Sequence, residues 1–107
     1  MVHRIDRHIE RLVGLELRES RDYYEEHFHS PHEGYAIIEE EFEEAEHELR
    51  KVRDKVENLW EDVKEDRIDF DFISNMTKMK TRAECLASEA VQIAAMAQKM
   101  IDSVENW

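Results

Sequence analysis

The chain has 107 residues, a length that supports one small domain rather than two independent cores. It carries 27 Asp and Glu against 15 Lys and Arg, a formal net charge of −12. This balance argues against nucleic acid or an anionic membrane as a partner, because both are bound largely through basic residues. With only 2 Gly and 1 Pro, the chain lacks the turn residues of a β sandwich or of repeated βα units. The composition therefore predicts an all-α fold.

The single cysteine, Cys85, cannot form an internal disulfide, and no second cysteine supports a zinc or redox pair. The first residues are charged and include no apolar signal-peptide core, and no apolar run has spanning length. We therefore expect a cytoplasmic protein in a reducing compartment.

The apolar spacing predicts an N-terminal helix or helices over residues 2–28, with a loosening at Gly14. A clear boundary lies at Ser30, Pro31 and Glu33, because Ser at the N-cap with Glu three residues later forms a capping box. This boundary predicts that a long acidic helix begins at Pro31 and extends over residues 31–65.

Apolar residues along the acidic helix alternate steps of three and four, which predicts a heptad seam packed against a nearly parallel or antiparallel helix. The seam consists of Tyr35, Ile38, Phe42, Ala45, Leu49, Val52, Val56, Leu59 and Val63.

The pattern breaks between Asp66 and Asp71, in a short connection that also supplies a cap for the next helix. We expect a short helix over residues 70–80 and a last helix over residues 82–105. The predicted seam of the last helix consists of Leu86, Ala90, Ile93, Ala97, Met100 and Val104. The predicted architecture is a single-domain antiparallel helical bundle of three to five helices.

Seven glutamates fall within ten residues of the acidic helix that contain no Lys or Arg: Glu39, Glu40, Glu41, Glu43, Glu44, Glu46 and Glu48. Helical spacing places Glu41 and Glu48 at the border of the apolar seam, with Glu44 further out. Carboxylates held there could bind a hard divalent cation, which prefers oxygen ligands. The simpler interpretation is a solvated helix face.

The last helix carries a matching stripe at one edge of its apolar face: Arg82, Cys85, Glu89, Gln92, Met96 and Lys99. Glu89 and Gln92 could meet the carboxylates of the acidic helix, with the two cations flanking them. Several oxygen ligands from two helices, with open positions for water and phosphate, would suit Mg²⁺ in phosphate chemistry, and Arg82 and Lys99 are then the predicted contacts for substrate phosphates.

The stretch from His29 to Ala45 resembles the first motif of the MazG-like all-α nucleoside triphosphate pyrophosphohydrolases, Glu-Glu-x-x-Glu on a long helix, with Glu40, Glu41 and Glu44 in its three places. Glu89-Ala-Val-Gln92 partly matches the second motif, Glu-x-x-Asp, within a string similar to small phage- and prophage-type members. The resemblance extends over about residues 29–100.

The resemblance implies a MazG-like helical fold and an enzyme that splits a nucleoside triphosphate into the monophosphate and pyrophosphate. It also implies Mg²⁺, with Mn²⁺ as an alternative, held by Glu40, Glu41, Glu44, Glu89 and Gln92. Glu41 and Glu44 are the predicted catalytic residues, and dimers or tetramers are expected. Gln92 stands where the motif has Asp, which removes one negative charge from the site.

Two alternatives remain at this level. Glu26 with His29 and Glu44 with His47 match Glu-x-x-His, the motif of di-iron bundles, but the first pair straddles a predicted helix end. The chain could also be a non-enzymatic helical interaction protein, whose seam binds a partner and whose acidic face confers solubility.

Overall fold

The computed structural model describes residues 4–107 and is helical throughout, with no strand among these residues. Three long helices are followed by a short 3-10 turn, Val104–Asn106: α1 (Arg7–Tyr23), α2 (Pro31–Lys64) and α3 (Phe70–Ser103). The all-α prediction is confirmed. None of these helices combines the length and apolarity that crossing a bilayer requires.

Short polar side chains begin the helices by accepting hydrogen bonds from backbone N–H groups that have no partner within the helix. Asp6 Oδ1 accepts from His8 N at 2.7 Å before α1, and Ser30 Oγ accepts from Glu33 N at 3.2 Å before α2. The Ser30 boundary therefore lies where the capping box predicts it. The Glu33 carboxylate completes the cap one residue earlier than expected, on His29 N at 3.4 Å.

The connection between α2 and α3 turns sharply because Asp66 adopts a left-handed φ of 55°, a conformation that Asp tolerates better than most residues. Arg67 N donates to Asp62 O at 2.9 Å, which closes the last turn of α2. Asp69 Oδ1 then accepts from Phe72 N at 3.1 Å and caps α3. The connection between α2 and α3 therefore lies where it was predicted, and it supplies the N-terminal cap of α3 as predicted.

Two helix boundaries differ from those expected. The N-terminal helix ends at Tyr23 rather than near residue 28, because Pro31 and the packing of Phe28 hold residues 24–30 in an irregular segment. Residues 70–80 and the last helix form one continuous helix, α3, with no break near residue 81. Residues 2–3 of the predicted first helix lie outside the described residues.

The chain divides into two compact parts. We call the first the core unit, which comprises the chain up to Phe42 together with Glu89–Trp107. The second is the hairpin unit, Glu43–Ser88, in which the two halves of α2 and α3 run antiparallel.

The core unit is built around Phe28, Ala95 and Met96, which are the buried hydrophobic residues of the described chain. Four partly buried side chains pack against them: Val13, Leu17, Ile38 and Met100. Because these come from all three helices, α1 and the segment after it cover the interface between α2 and α3. This arrangement supplies the only layer of the described chain that excludes water.

Residues 24–30 are fixed to the end of α3 through the backbone of Phe28. Phe28 N donates to Ser103 Oγ at 2.9 Å, and Trp107 Nε1 donates to Phe28 O at 2.9 Å. Ser103 Oγ in turn donates to Lys99 O at 2.6 Å. Hydrogen bonding of both polar groups allows a backbone segment outside any helix to be buried.

The seam predicted for the last helix is confirmed in part, because Leu86, Ile93 and Met100 are half-buried and Met100 packs against the core. Ala90, Ala97 and Val104 are exposed, whereas the buried residues of α3 are Ala95, Met96, Lys99 and Ser103. Two of the four are polar, because the neighbouring α1 and Phe28 backbone need hydrogen-bonding partners at this level. A search for apolar residues alone therefore finds one edge of the buried face of α3 and misses its polar residues.

Candidate functional site

The core unit contains a cleft of about 1180 Å³ between the end of α1, residues 24–30, the start of α2 and the end of α3. Six glutamates line it: Glu16, Glu19, Glu25, Glu33, Glu40 and Glu41. Tyr23, Tyr24 and Phe28 contribute aromatic rings, and Gln92 contributes a neutral amide. Because six carboxylates would repel a free anion, the cleft favours a ligand that carries a cation with it.

Lys99 is the one Lys or Arg among the residues that line the cleft. Its side chain is almost fully buried, with 3% of the residue exposed. The ammonium Nζ donates to Ser20 Oγ at 3.0 Å and lies 4.8 Å from the centre of the Phe28 ring. The hydroxyl and the ring face together hold a buried cation in a fixed position.

Burial lowers the pKa of Lys99, because desolvation disfavours the charged ammonium. The carboxylates of Glu33 and Glu25 oppose this change and raise the pKa, while the Arg21 guanidinium lowers it further. Arg21 itself pairs with Asp102, which links α1 to the end of α3 beside Lys99. The cation of the cleft is therefore set in a network that joins all three helices.

A carboxylate cluster forms where α2 passes α3. Glu41 and Glu89 belong to the core unit and are half-buried, and Glu44 follows Glu41 by one turn of the same helix and is exposed. One oxygen from each of Glu41, Glu44 and Glu89 lies within 4.8 Å of the other two. Oxygens around one Mg²⁺ are roughly 3–4 Å apart at bond lengths of about 2.1 Å, so small side-chain movements would complete a shared site.

The residues singled out from the sequence fall into three groups. Glu40, Glu41, Gln92 and Lys99 line the cleft, while Glu44 and Glu89 join Glu41 in the cluster. Arg82 lies in the hairpin unit, where its Nη1 is 3.6 Å from Glu48 Oε2. Within residues 4–107 the cluster is made of carboxylates without histidine, which is a donor set for a hard cation rather than for a His-containing di-iron site.

Sequence reasoning missed the residues that α1 and its following segment bring to the cleft. Ser20 and Phe28 hold Lys99, and both fall in the stretch that was expected to form the N-terminal helix or helices. The ring of His29, at the rim, pairs through Nε2 with Glu25 and has Nδ1 3.3 Å from Glu33 Oε2. The one available signal was Pro31, which disfavours helical backbone in the residue before it.

The two carboxylates beside His29 raise its pKa, first through the hydrogen bond and charge of Glu25 and then through Glu33. The ring is exposed, so water screens these interactions. Protonated His29 thus clamps the segment before α2 to the first turn of that helix.

No family model, no curated protein and no solved structure matches this chain. The functional argument is therefore built on the cleft, its lysine and its carboxylates.

Proposed function

We propose that this protein is a Mg²⁺-dependent nucleoside triphosphate pyrophosphohydrolase of the MazG-like type, which splits an NTP or dNTP into the monophosphate and pyrophosphate. The observation that carries the proposal is the convergence of Glu41, Glu44 and Glu89 within 4.8 Å, with Glu41 also lining a cleft that holds a buried lysine. The resemblance of the two motifs to that family supports the same reaction class.

The donor set fits the proposed metal. Three carboxylates offer the hard oxygen ligands that Mg²⁺ prefers, and Mn²⁺ accepts the same ligands. Glu40 and Gln92 line the same cleft and complete the proposed ligand set. When bound, Mg²⁺ would supply charge neutralisation for the phosphate oxygens.

The charge of the cleft explains why the proposal requires a divalent cation. Six glutamates and one lysine would repel an uncomplexed triphosphate, so the substrate would enter as its metal complex. On α3, Lys99 lies seven residues beyond Gln92, about 10 Å along the helix axis. A triphosphate lying along α3 would thus have metal-binding carboxylates at one end and an ammonium at the other.

Each residue has a proposed role within this arrangement. Glu41 and Glu89 hold the cation, and Glu44, the exposed member of the cluster, orients the attacking water and accepts its proton. Lys99 contacts the distal phosphate oxygens and needs no new position, because Ser20 and Phe28 already fix its ammonium.

The test is pyrophosphate release from a panel of ribo- and deoxyribonucleoside triphosphates with Mg²⁺, with Mn²⁺ and with EDTA. We expect metal-dependent release, and a loss of about 100-fold or more in kcat/KM for Glu44→Gln and Glu89→Gln. Glu43→Gln, an exposed change on the same helix, is the matched control and should retain activity. Absence of pyrophosphate release for every nucleotide with both metals would overturn the proposal.

Metal binding gives a second readout that does not depend on turnover. Mg²⁺ should raise the melting temperature of the parent chain, because it binds the folded state, and Glu44→Gln should reduce that increase. Gln92→Asp should strengthen Mg²⁺ binding, because an added carboxylate attracts a hard cation more strongly. If Mg²⁺ leaves the melting temperature of every variant unchanged, the acidic face is a solvated surface and the chain is a helical interaction protein.

A further inference from the structure

The seam predicted along α2 divides into two sets, each repeating every seven residues. Ile38, Ala45, Val52 and Leu59 are half-buried, whereas the other set is exposed: Tyr35, Phe42, Leu49, Val56 and Val63. Within one chain, only one of the two heptad positions of α2 is therefore covered. The other position is left facing water.

The exposed set is most pronounced in the hairpin unit. Leu49, Val56 and Val63 are 55%, 48% and 50% exposed, and Trp60 extends the same stripe. We call these four residues the outer stripe. None of the residues of Glu43–Ser88 is buried, so the hairpin unit has no water-excluding layer of its own.

Because the hairpin unit buries no residue, another apolar surface must pack against its outer stripe to shield that stripe from water. Helices in water derive most of their stability from packing an apolar face, and a contiguous exposed apolar stripe marks an interface. We propose that the outer stripe of a second copy of this chain covers it, with the two α2 helices antiparallel and the two-fold axis at Val56.

The apolar register supports this arrangement. With Val56 opposite Val56 of the second copy, Leu49 lies opposite Val63 of the second copy, and Val63 lies opposite its Leu49. The stripe is thus self-complementary, as an interface related by a two-fold axis requires. The same register brings Trp60 next to the half-buried Val52 of the second copy.

The charges beside the stripe match in the same register. At about 100° per residue, one flank of the outer stripe faces away from α3 and carries six charged residues: Glu46, Arg50, Arg53, Glu57, Glu61 and Lys64. Antiparallel pairing sets this flank against the same flank of the second copy. Arg53 then lies near Glu57 of the second copy, Glu46 near its Lys64, and Arg50 near its Glu61, so that every pair has opposite charges.

These charged side chains are available for the interface. In one copy Arg53 Nε is 3.5 Å from Glu57 Oε1 and Lys64 Nζ is 2.9 Å from Glu61 Oε1, in pairs along the surface of a single helix. All four side chains keep more than two fifths of their surface exposed, so a second copy can extend each pair into a network. A parallel pairing loses the match, because it sets this flank against the opposite one, which faces α3.

Disulfide trapping tests the register. In a Cys85→Ser background, Val56→Cys should give a covalent dimer on mild oxidation, because the two-fold axis brings the two thiols together. Asp54→Cys, an exposed position on the far side of α2, is the matched control and should remain mainly monomeric. Equal cross-linking of the two variants, or none at Val56→Cys, would overturn the proposed register.

Charge exchange tests the pairing without relying on one variant. Arg53→Glu and Glu57→Arg should each weaken self-association by about tenfold in sedimentation equilibrium, because each places two like-charged pairs in the dimer. An equimolar mixture of the two should associate as tightly as the parent chain, although neither helix regains its own Arg53–Glu57 pair. Lys78→Glu, the same charge change at an exposed position on α3, should leave association unchanged.

Two results would overturn the proposal: a chain that sediments as a monomer at 100 µM, or a mixture that associates no more tightly than its components. Neither experiment uses nucleotide or metal, so the result is independent of the proposed activity. Trp60 emission, followed in a Trp107→Phe background, should shift to shorter wavelength as the dimer forms.

Discussion

The core unit and the hairpin unit contain parts of the same two helices, yet only the core unit buries hydrophobic side chains. Heptad spacing continues along α2 through both, so the difference does not arise from the pattern of that helix. It arises from α1 and Phe28, which add a third element over α2 and α3 in the core unit. Two helices offer each other one stripe, and a third element is needed to close a core around it.

The same comparison applies to chemistry. The cleft and the buried ammonium of Lys99 occur in the core unit, where α1 and residues 24–30 add walls to the helix pair. In the hairpin unit, charged residues such as Arg53 and Glu57 pair along an open helix surface. The cleft and its desolvated charge thus occur in the part of the chain that has three elements.

The largest expected difference between the two units comes from truncating an apolar side chain in each. Phe28→Ala should lower the free energy of unfolding by about 3–5 kcal/mol, because Phe28 is 4% exposed and fills the core. Leu49→Ala, measured at a concentration below that of self-association, should change it by less than about 1 kcal/mol. Urea unfolding followed by circular dichroism measures both, and equal losses would contradict the assignment of the core.

A smaller loss is expected at Gly34 of α2, which lies against Met100 of α3 in the core unit. A Cβ added at Gly34 would lie 2.2 Å from Met100 Sδ and 3.1 Å from Phe28 Cδ2. Gly34→Val should therefore lower the free energy of unfolding by about 1–3 kcal/mol through overpacking. Adding Met100→Ala should restore part of the loss in thermal melts, and an unchanged melting temperature for Gly34→Val alone would show that this contact is not tight.

The other glycine provides the opposite case. A Cβ at Gly14 meets nothing within 4 Å, and Gly14 lies within α1. Gly14→Ala should raise the free energy of unfolding by about 0.5–1 kcal/mol, because alanine loses less backbone entropy in a helix. A decrease in the midpoint of thermal unfolding would mean that a neighbour occupies this face of α1.

The smallest expected effect is a pH dependence at the rim of the cleft. The pKa of His29 is raised in the folded chain by Glu25 and then by Glu33, so protonated His29 favours the folded state. This contribution is fully present below the ordinary histidine pKa of about 6.5 and is lost as pH rises through the higher folded-state value. His29→Gln should flatten that part of the stability profile, whereas His32→Gln should leave it intact, and identical profiles for the parent and His29→Gln would exclude the clamp.

Features that depend on neighbours in sequence could be predicted from the sequence. The caps at Ser30 and Asp69 require only a short polar side chain within three residues of the N–H that it accepts from. Glu41 and Glu44 lie one turn apart on any helix, so their proximity follows from spacing alone. The polar stripe predicted along the last helix included Glu89, so the sequence also predicted that this carboxylate lies near Glu41 and Glu44.

Features that depend on which surfaces meet could not be predicted in this way. Both heptad positions of α2 have the same period, and the sequence does not state which of Val52 and Val56 turns toward α3. The Ser20–Lys99 hydrogen bond requires the register of α1 against α3, which depends on the irregular course of residues 24–30. The buried face of α3 was predicted only in part for the same reason, since Lys99 and Ser103 are polar residues whose partners lie on other elements.

The attachment of Phe28 to Ser103 and Trp107 also has a consequence for the order in which contacts form during folding. The partners of these hydrogen bonds are 75 and 79 residues apart, whereas the two halves of the hairpin unit come together within 46 residues. Contacts of long sequence separation close late, because the intervening chain must first be ordered or looped out. We therefore expect the two halves of the hairpin unit to meet before Phe28 reaches Ser103 and Trp107, so that the cleft and its lysine form late in folding.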